Sequence, residues 1–189
     1  RLMYYHPRDE RVWTGDIFAT GIKNEYVIVM TPACDFAQNK VQRVMICYGN
    51  CVNNELIETL EFPLYKKDPM LVEITNNPTL DAVKKKKMLL STAKRRYIDG
   101  KNKPARFYLL HHFVADSEQK PVTLCFDFQE MSSLAPIDLN HGELAKDWKR
   151  ISRLDSPYME IMLQNFGAYL SRIGAPSINS PIEDNEQEL

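Results

Sequence analysis

The sequence predicts an α+β fold: a small antiparallel, barrel-like sheet with helices on its periphery. Three observations predict it. Short apolar runs of strand length recur between turn residues, two later stretches switch to helical periodicity, and no regular β-α-β alternation of the kind a doubly wound parallel sheet needs is present. The 189 residues, 44% hydrophobic and 26% charged, suit one globular domain, residues 1–175, that requires no disulfide or metal to hold its core.

Taken in order, Gly15-Asp16 opens a first strand, DIFAT. Asn24-Glu25 leads into Tyr26–Thr31, an almost wholly apolar run that predicts a strand buried on both faces. Pro32 ends it, since proline has no ladder donor. Val44–Tyr48 forms a third strand, with Gly49-Asn50 as its turn. Leu56, Ile57 and Leu60 give residues 53–62 helical spacing, and three prolines between Pro63 and Pro78 predict a loop. Asn77 as N-cap and Pro78 at the first helical position then predict a helix over 77–99, closed by Gly100. Phe107–Val114 and Val122–Phe128 read as a hairpin, followed by an extended piece, Ser133–Leu139, and a helix over about 142–151. Ser156-Pro157 starts a last helix over 156–173, with Tyr158, Met162, Phe166, Tyr169 and Ile173 as its apolar stripe. Residues 176–189 carry four acidic and no basic side chains and form a solvated acidic tail by composition.

Charge is distributed unevenly. The net charge of -1 conceals ten basic residues against Asp99 alone between positions 84 and 106, a +9 segment that leaves -10 on the other 166 residues. On a helical wheel Ala82, Val83, Leu89, Leu90, Ala93 and Tyr97 share one arc. Lys84, Lys85, Lys87, Lys94, Arg95 and Arg96 occupy the rest, and Lys86 falls in the apolar stripe. Solvated helix faces usually interleave acids with bases, whereas this one lacks acidic neighbours, so an anion is expected against it. Nucleic acid is the expected anion, with the acidic tail or an acidic protein partner as the alternative; Tyr97, Phe107 and Tyr108 are candidate stacking residues. Lys146, Lys149, Arg150 and Arg153 make a second, weaker basic face at helical spacing.

Four cysteines occur. Cys47-x3-Cys51 lacks the second close pair that would complete a zinc site, and Cys47 and Cys125 lie in apolar runs as small buried hydrophobes. No metal site and no cofactor is expected. Cys34 follows the most apolar strand and is a candidate nucleophile, with His111 or His112 as base and Asp35 or Asp127 orienting it. In the structural alternative Asp35 caps the following turn and Cys34 packs as a small residue. Glycine-rich phosphate loops, nucleophile elbows and paired-carboxylate signatures are lacking, so the expected function is binding rather than catalysis.

Two resemblances follow from quoted stretches. YYHPRDERVWTGDIFATGIKNEYVIVMTPACDF near the start and RISRLDSPYMEIMLQNFGAYLSRIGAP near the end resemble a group of uncharacterised bacterial domains, some of which follow a receiver-like domain in signalling proteins. That resemblance implies an output domain of a larger, response-regulator-like protein with an upstream receiver-like partner. A chain numbered from Arg1 rather than from methionine fits the same expectation. Gly15-Asp16-Ile17 ahead of YVIVMT is similar to the start of the MazF/PemK-type toxins, SH3-like barrels that cleave RNA. In place of that family's Arg-Pro this chain has Glu25-Tyr26, so the catalytic arginine has no counterpart. The expectation is therefore a cytoplasmic binding domain that contacts RNA or DNA through the basic helix. No run of 18 apolar residues and no leader pattern points to a membrane or to export.

Overall fold

Val27, Ile28, Val29 and Met30 are all fully buried, and they alternate between two cores. Val27 and Val29 join Val12, Phe18, Phe36, Val44, Ile46 and Leu144 on one face, while Ile28 and Met30 join Ile17, Cys47, Leu110, Phe126 and Met162 on the other. That alternation is why the run carries no polar residue: each face of the strand has its own apolar layer. The computed structural model describes residues 3–52, 68–98, 105–115 and 120–172. The predicted helix over 53–62, the Gly100 stop and the tail 176–189 lie outside them.

Among the described residues seven strands form one antiparallel sheet: β1 (Tyr4–Tyr5), β2 (Asp16–Ala19), β3 (Glu25–Val29), β4 (Val44–Cys51), β5 (Phe107–Phe113), β6 (Val122–Leu134) and β7 (Lys149–Leu154), in the order β1-β7-β2-β3-β4-β6-β5. Among the described residues the helices are α1 (Ala33–Ala37), α2 (Pro69–Asn76), α3 (Ala82–Ala93), which continues into a π-helical turn at Lys94–Ile98, and α4 (Tyr158–Arg172). The sheet curls into a half-barrel, consistent with the α+β, barrel-like class expected. α4 packs on one face through buried Met159 and Met162, with Tyr158, Leu163, Phe166 and Tyr169 against the same cluster. On the other face α1 and the segment before β7 cover β2–β4, and the α2–α3 pair covers β5–β6 through Leu71, Leu89, Leu90 and Ala93.

The two edge strands meet through one side chain rather than through a ladder. The Tyr4 hydroxyl in β1 donates to the His112 carbonyl and accepts from the Val114 amide, both at 2.9 Å, and its ring lies 5.1 Å from Phe113. His112 is in the left-handed region (φ 56°), which turns its carbonyl out of the β6 ladder.

Several boundaries differ from the sequence reading, each for a local reason. Gly49-Asn50 is no turn: β4 runs through it, and Gly49 lies between Tyr26 and Phe126. A Cβ at Gly49 would sit 2.5 Å from Phe126 Cδ1, so close packing rather than turning requires the glycine. Ser133–Leu139 is not a separate strand, because β6 itself extends to Leu134. Proline misled in the stretch read as loop: Pro69 starts α2 behind Asp68, whose side chain accepts from the Met70 amide at 3.0 Å. Asn77 therefore ends α2 instead of starting the next helix, and Asp81 caps α3 by accepting from the Lys84 amide at 2.8 Å. The helix expected over 142–151 does not form, and its last three residues, Lys149 to Ile151, belong to β7.

Replacing Tyr4 with Phe removes both edge-to-edge hydrogen bonds while keeping the ring contact, and should cost about 1 kcal/mol in denaturant unfolding. An unchanged midpoint would mean that the edges do not depend on the hydroxyl.

Candidate functional site

α3 is held to the sheet by its C-terminal half. Thr92 and Ala93 are buried and Leu89 and Leu90 half-buried, packed over Phe107, Leu109 and Cys125. The N-terminal turn leaves the core: Ala82 is exposed and Val83 is 79% exposed. The apolar arc on the wheel was thus too wide, and Lys86, assigned to it, stands in solvent because no core lies beneath that turn. Opposite the buried side, Lys84, Lys87, Lys94 and Arg95 follow one another along the helix, with Ser91 between them. Eleven residues of helix put about 16 Å between the first and last of these.

Two of the six predicted contact residues meet acids. Lys84 Nζ is 3.3 Å from Asp81, an exposed pair of small worth. Arg96 turns inward and donates from Nε to Asp68 at 2.7 Å, so it fastens the end of α3 to the start of α2. Lys85, half-buried, and Lys87, Lys94 and Arg95, all exposed, have no carboxylate partner among the described residues. Phe107 and Tyr108, candidates for base stacking, are 9% and 7% exposed and belong to the cores. The Tyr97 side chain lies outside the described set.

The second basic face is not a face at all. Arg150 and Arg153 lie on β7, where a spacing of three would normally send side chains to opposite sides. A bulge intervenes: β7 pairs Ser152 with Ile17 and Arg150 with Phe18, leaving Ile151 over. Both guanidinium groups therefore converge on Asp16, which is 0% exposed. Arg153 donates from Nε to Asp16 Oδ1 at 2.6 Å and from Nη1 to Asp9 at 2.8 Å, while Arg150 Nη1 reaches Asp16 at 3.3 Å and the Arg11 carbonyl at 2.7 Å. Hydrogen bonding from Arg153 holds the Asp9 carboxyl below its usual value. Burial works against the Arg153 charge, but its bonds to Asp16 and Asp9 raise its pKa above that of a free guanidinium. Beside this cluster Tyr5, Asp9, Arg11, Trp13 and Arg153 line an open hollow of about 370 Å³. Arg11 stacks on Trp13 at 5.4 Å, donates to the Phe36 carbonyl and to Asn39, and keeps a buried Nε without an acceptor. The carboxylates are taken up by guanidinium donors, which makes the cluster a clamp rather than an acid–base pair.

The Cys34 proposal fails on geometry. Cys34 lies exposed on α1, just past the end of β3 that meets Ile46 and, through it, Ser132 of β6. His111 instead lies next to Thr123, its Nδ1 3.3 Å from that hydroxyl. β6 bulges between Thr123 and Ser132, and β4 covers the same stretch in the six steps from Ile46 to Val52, about 20 Å of strand, so neither His111 nor His112 comes near the thiol. Asp35 gives α1 no side-chain cap and instead lies 3.6 Å from the Cys34 sulfur. Asp127 is occupied by Arg106, whose Nε donates to it at 2.6 Å. Burial, with the Asp127 charge second, pushes the Cys125 thiol up to about 12 and raises Cys47 further. No group of three or more His, Cys, Asp or Glu placed to hold a metal occurs among the described residues.

No protein-family model, curated protein or solved structure matches the chain. No helix among the described residues is long and apolar enough to cross a membrane.

Two outcomes follow from these placements. Asp16→Asn leaves two inward guanidinium groups short of a buried counter-charge and should lower unfolding free energy by about 3 kcal/mol; a loss under about 1 kcal/mol would mean the clamp supports nothing. In the native state at mildly alkaline pH a thiol reagent should titrate Cys34 promptly, half-buried Cys51 slowly, and Cys47 and Cys125 only after denaturant.

Proposed function

We propose that this chain is a non-enzymatic binding domain that engages RNA or DNA through the outward face of α3, as the output part of a larger regulatory protein. The observation that carries the reading is the row Lys84, Lys87, Lys94 and Arg95 on a formed helix whose cations lack, Lys84 apart, a carboxylate partner among the described residues. Cations held this close along one face repel each other, and a polyanion relieves that repulsion by replacing condensed counterions on its own backbone. The face offers long, solvated ammonium groups and a guanidinium, with no aromatic or amide side chain between them, so it suits phosphates rather than base edges. Binding is therefore expected to be indifferent to sequence. Separation of Cys34 from both histidines counts against the thiol alternative raised by the sequence and supports binding over catalysis.

Affinity for mixed-sequence RNA and duplex DNA, read by fluorescence anisotropy, tests the proposal. Four phosphate contacts on B-DNA give a log–log salt slope near about -3.6, a drop of about 100-fold between about 50 and 200 mM salt. The triple variant Lys87→Gln, Lys94→Gln, Arg95→Gln should flatten the slope by about 2.7. Absence of binding at the lower salt, or binding with no salt slope, overturns the reading.

A further inference from the structure

We infer that the acidic segment 176–189 docks on the outward face of α3 and competes with nucleic acid for it, so that the chain limits its own binding. The inference rests on the α3 reading above and adds a regulator to the same surface. Glu183, Asp184, Glu186 and Glu188 are four carboxylates within six residues and have no base among them. Lys84, Lys87, Lys94 and Arg95 are four cations along one helix face. Number and sign match, and the four cations are exposed enough to exchange one partner for another.

The fold also brings the root of the tail to the right place. Phe166 and Tyr169, in the last turns of α4, lie 5.3 and 6.0 Å from Phe128 of β6. The Phe128 amide donates to the Arg106 carbonyl at 2.9 Å, and the adjoining Phe107 packs against Ala93 of α3. The ends of α4 and α3 therefore abut the same end of the β5–β6 pair from opposite faces, about 20 Å apart at layer spacings of about 10 Å. Glu183 comes eleven residues after Arg172, a reach of about 36 Å when extended, which rounds the sheet edge with length to spare. Tethering sets an effective concentration of about 1 mM, so four exposed pairs of about 1 kcal/mol each, equivalent to a dissociation constant of about 1 mM, mask the face about twofold. Such weak masking yields to a polyanion, as a competitor must.

Two measurements on the full chain test this. In the first, Glu183→Gln, Asp184→Asn, Glu186→Gln and Glu188→Gln are combined, and affinity for mixed-sequence duplex DNA is compared with that of the unaltered chain. The neutralised chain should bind about twofold tighter at low salt, with the difference closing as salt rises. Equal affinity overturns the inference while leaving the α3 reading intact. In the second, a zero-length carbodiimide cross-linker joins carboxylates to amines within the unaltered chain, and the products are identified by peptide mass mapping. Links from residues 183–188 to Lys84, Lys87 or Lys94 are expected, and should vanish at high salt and on addition of DNA. If none form, docking is overturned. Salt-sensitive links in a chain that binds no nucleic acid would uphold docking and overturn the competition together with the reading it rests on.

Discussion

A carboxylate with no solvent exposure, Asp16, anchors the N-terminal third of this molecule. Two arginines from β7 and the Trp13 amide converge on it, and Arg153 carries the connection outward to Asp9. That pins the stretch between β1 and β2, which has no regular structure of its own, along the edge of the sheet. Because the stretch is pinned, β1 can pair with β7, and Tyr4 is delivered to the far edge where its hydroxyl spans His112 and Val114. The curl of the sheet thus depends on an ion cluster on β7 and β2, the two strands next to the β1 edge that forms the seam. A buried pair of this kind adds little net stability over an apolar substitute, but removing one member strands a charge. Its value here is positional.

Much of the sheet was legible because its chemistry is local. Tyr26–Thr31 reads as a doubly buried strand, and it is one, since both faces really do carry apolar layers. α4 was legible from its stripe, as Met162, Phe166 and Tyr169 recur at helical spacing against a single core. The failures share a different cause. Arg150 and Arg153 look like helix neighbours because a bulge at Ile151 gives a strand the same convergence that three residues of helix would give. Pro69 looks like part of a loop and Pro78 like a helix start, yet Pro69 initiates α2 behind the Asp68 cap and α3 begins only at Ala82, behind Asp81. Gly49 looks like a turn because composition cannot reveal that Phe126 crosses it. In each case the deciding fact is a partner distant in sequence.

The candidate site divides along the same line. The +9 segment, the helix that carries its first seven basic residues and the outward position of Lys87, Lys94 and Arg95 were readable from composition and period. Loss of Arg96 to Asp68 and exposure of Lys86 were not, since they follow from where α2 lies and where the core ends. The thiol hypothesis shows the limit most plainly. Cys34, His111 and His112 are the right residue types, but register along β6 separates them by most of a strand's length.

Two basic clusters of similar composition end up with opposite characters, and the difference explains why one is assigned a ligand and the other is not. The arginines of β7 face inward, where desolvation would be prohibitive without Asp9 and Asp16, so fold stability demands internal acids. The lysines of α3 stand on a helix whose first turn has left the core, where water tolerates each charge singly and only their mutual repulsion is unfavourable. Folding places no demand on that second group. Lys87, Lys94 and Arg95, which meet no carboxylate among the described residues, are cheapest to explain by something outside the folded core, and the polyanion and the acidic tail are the two candidates of matching sign.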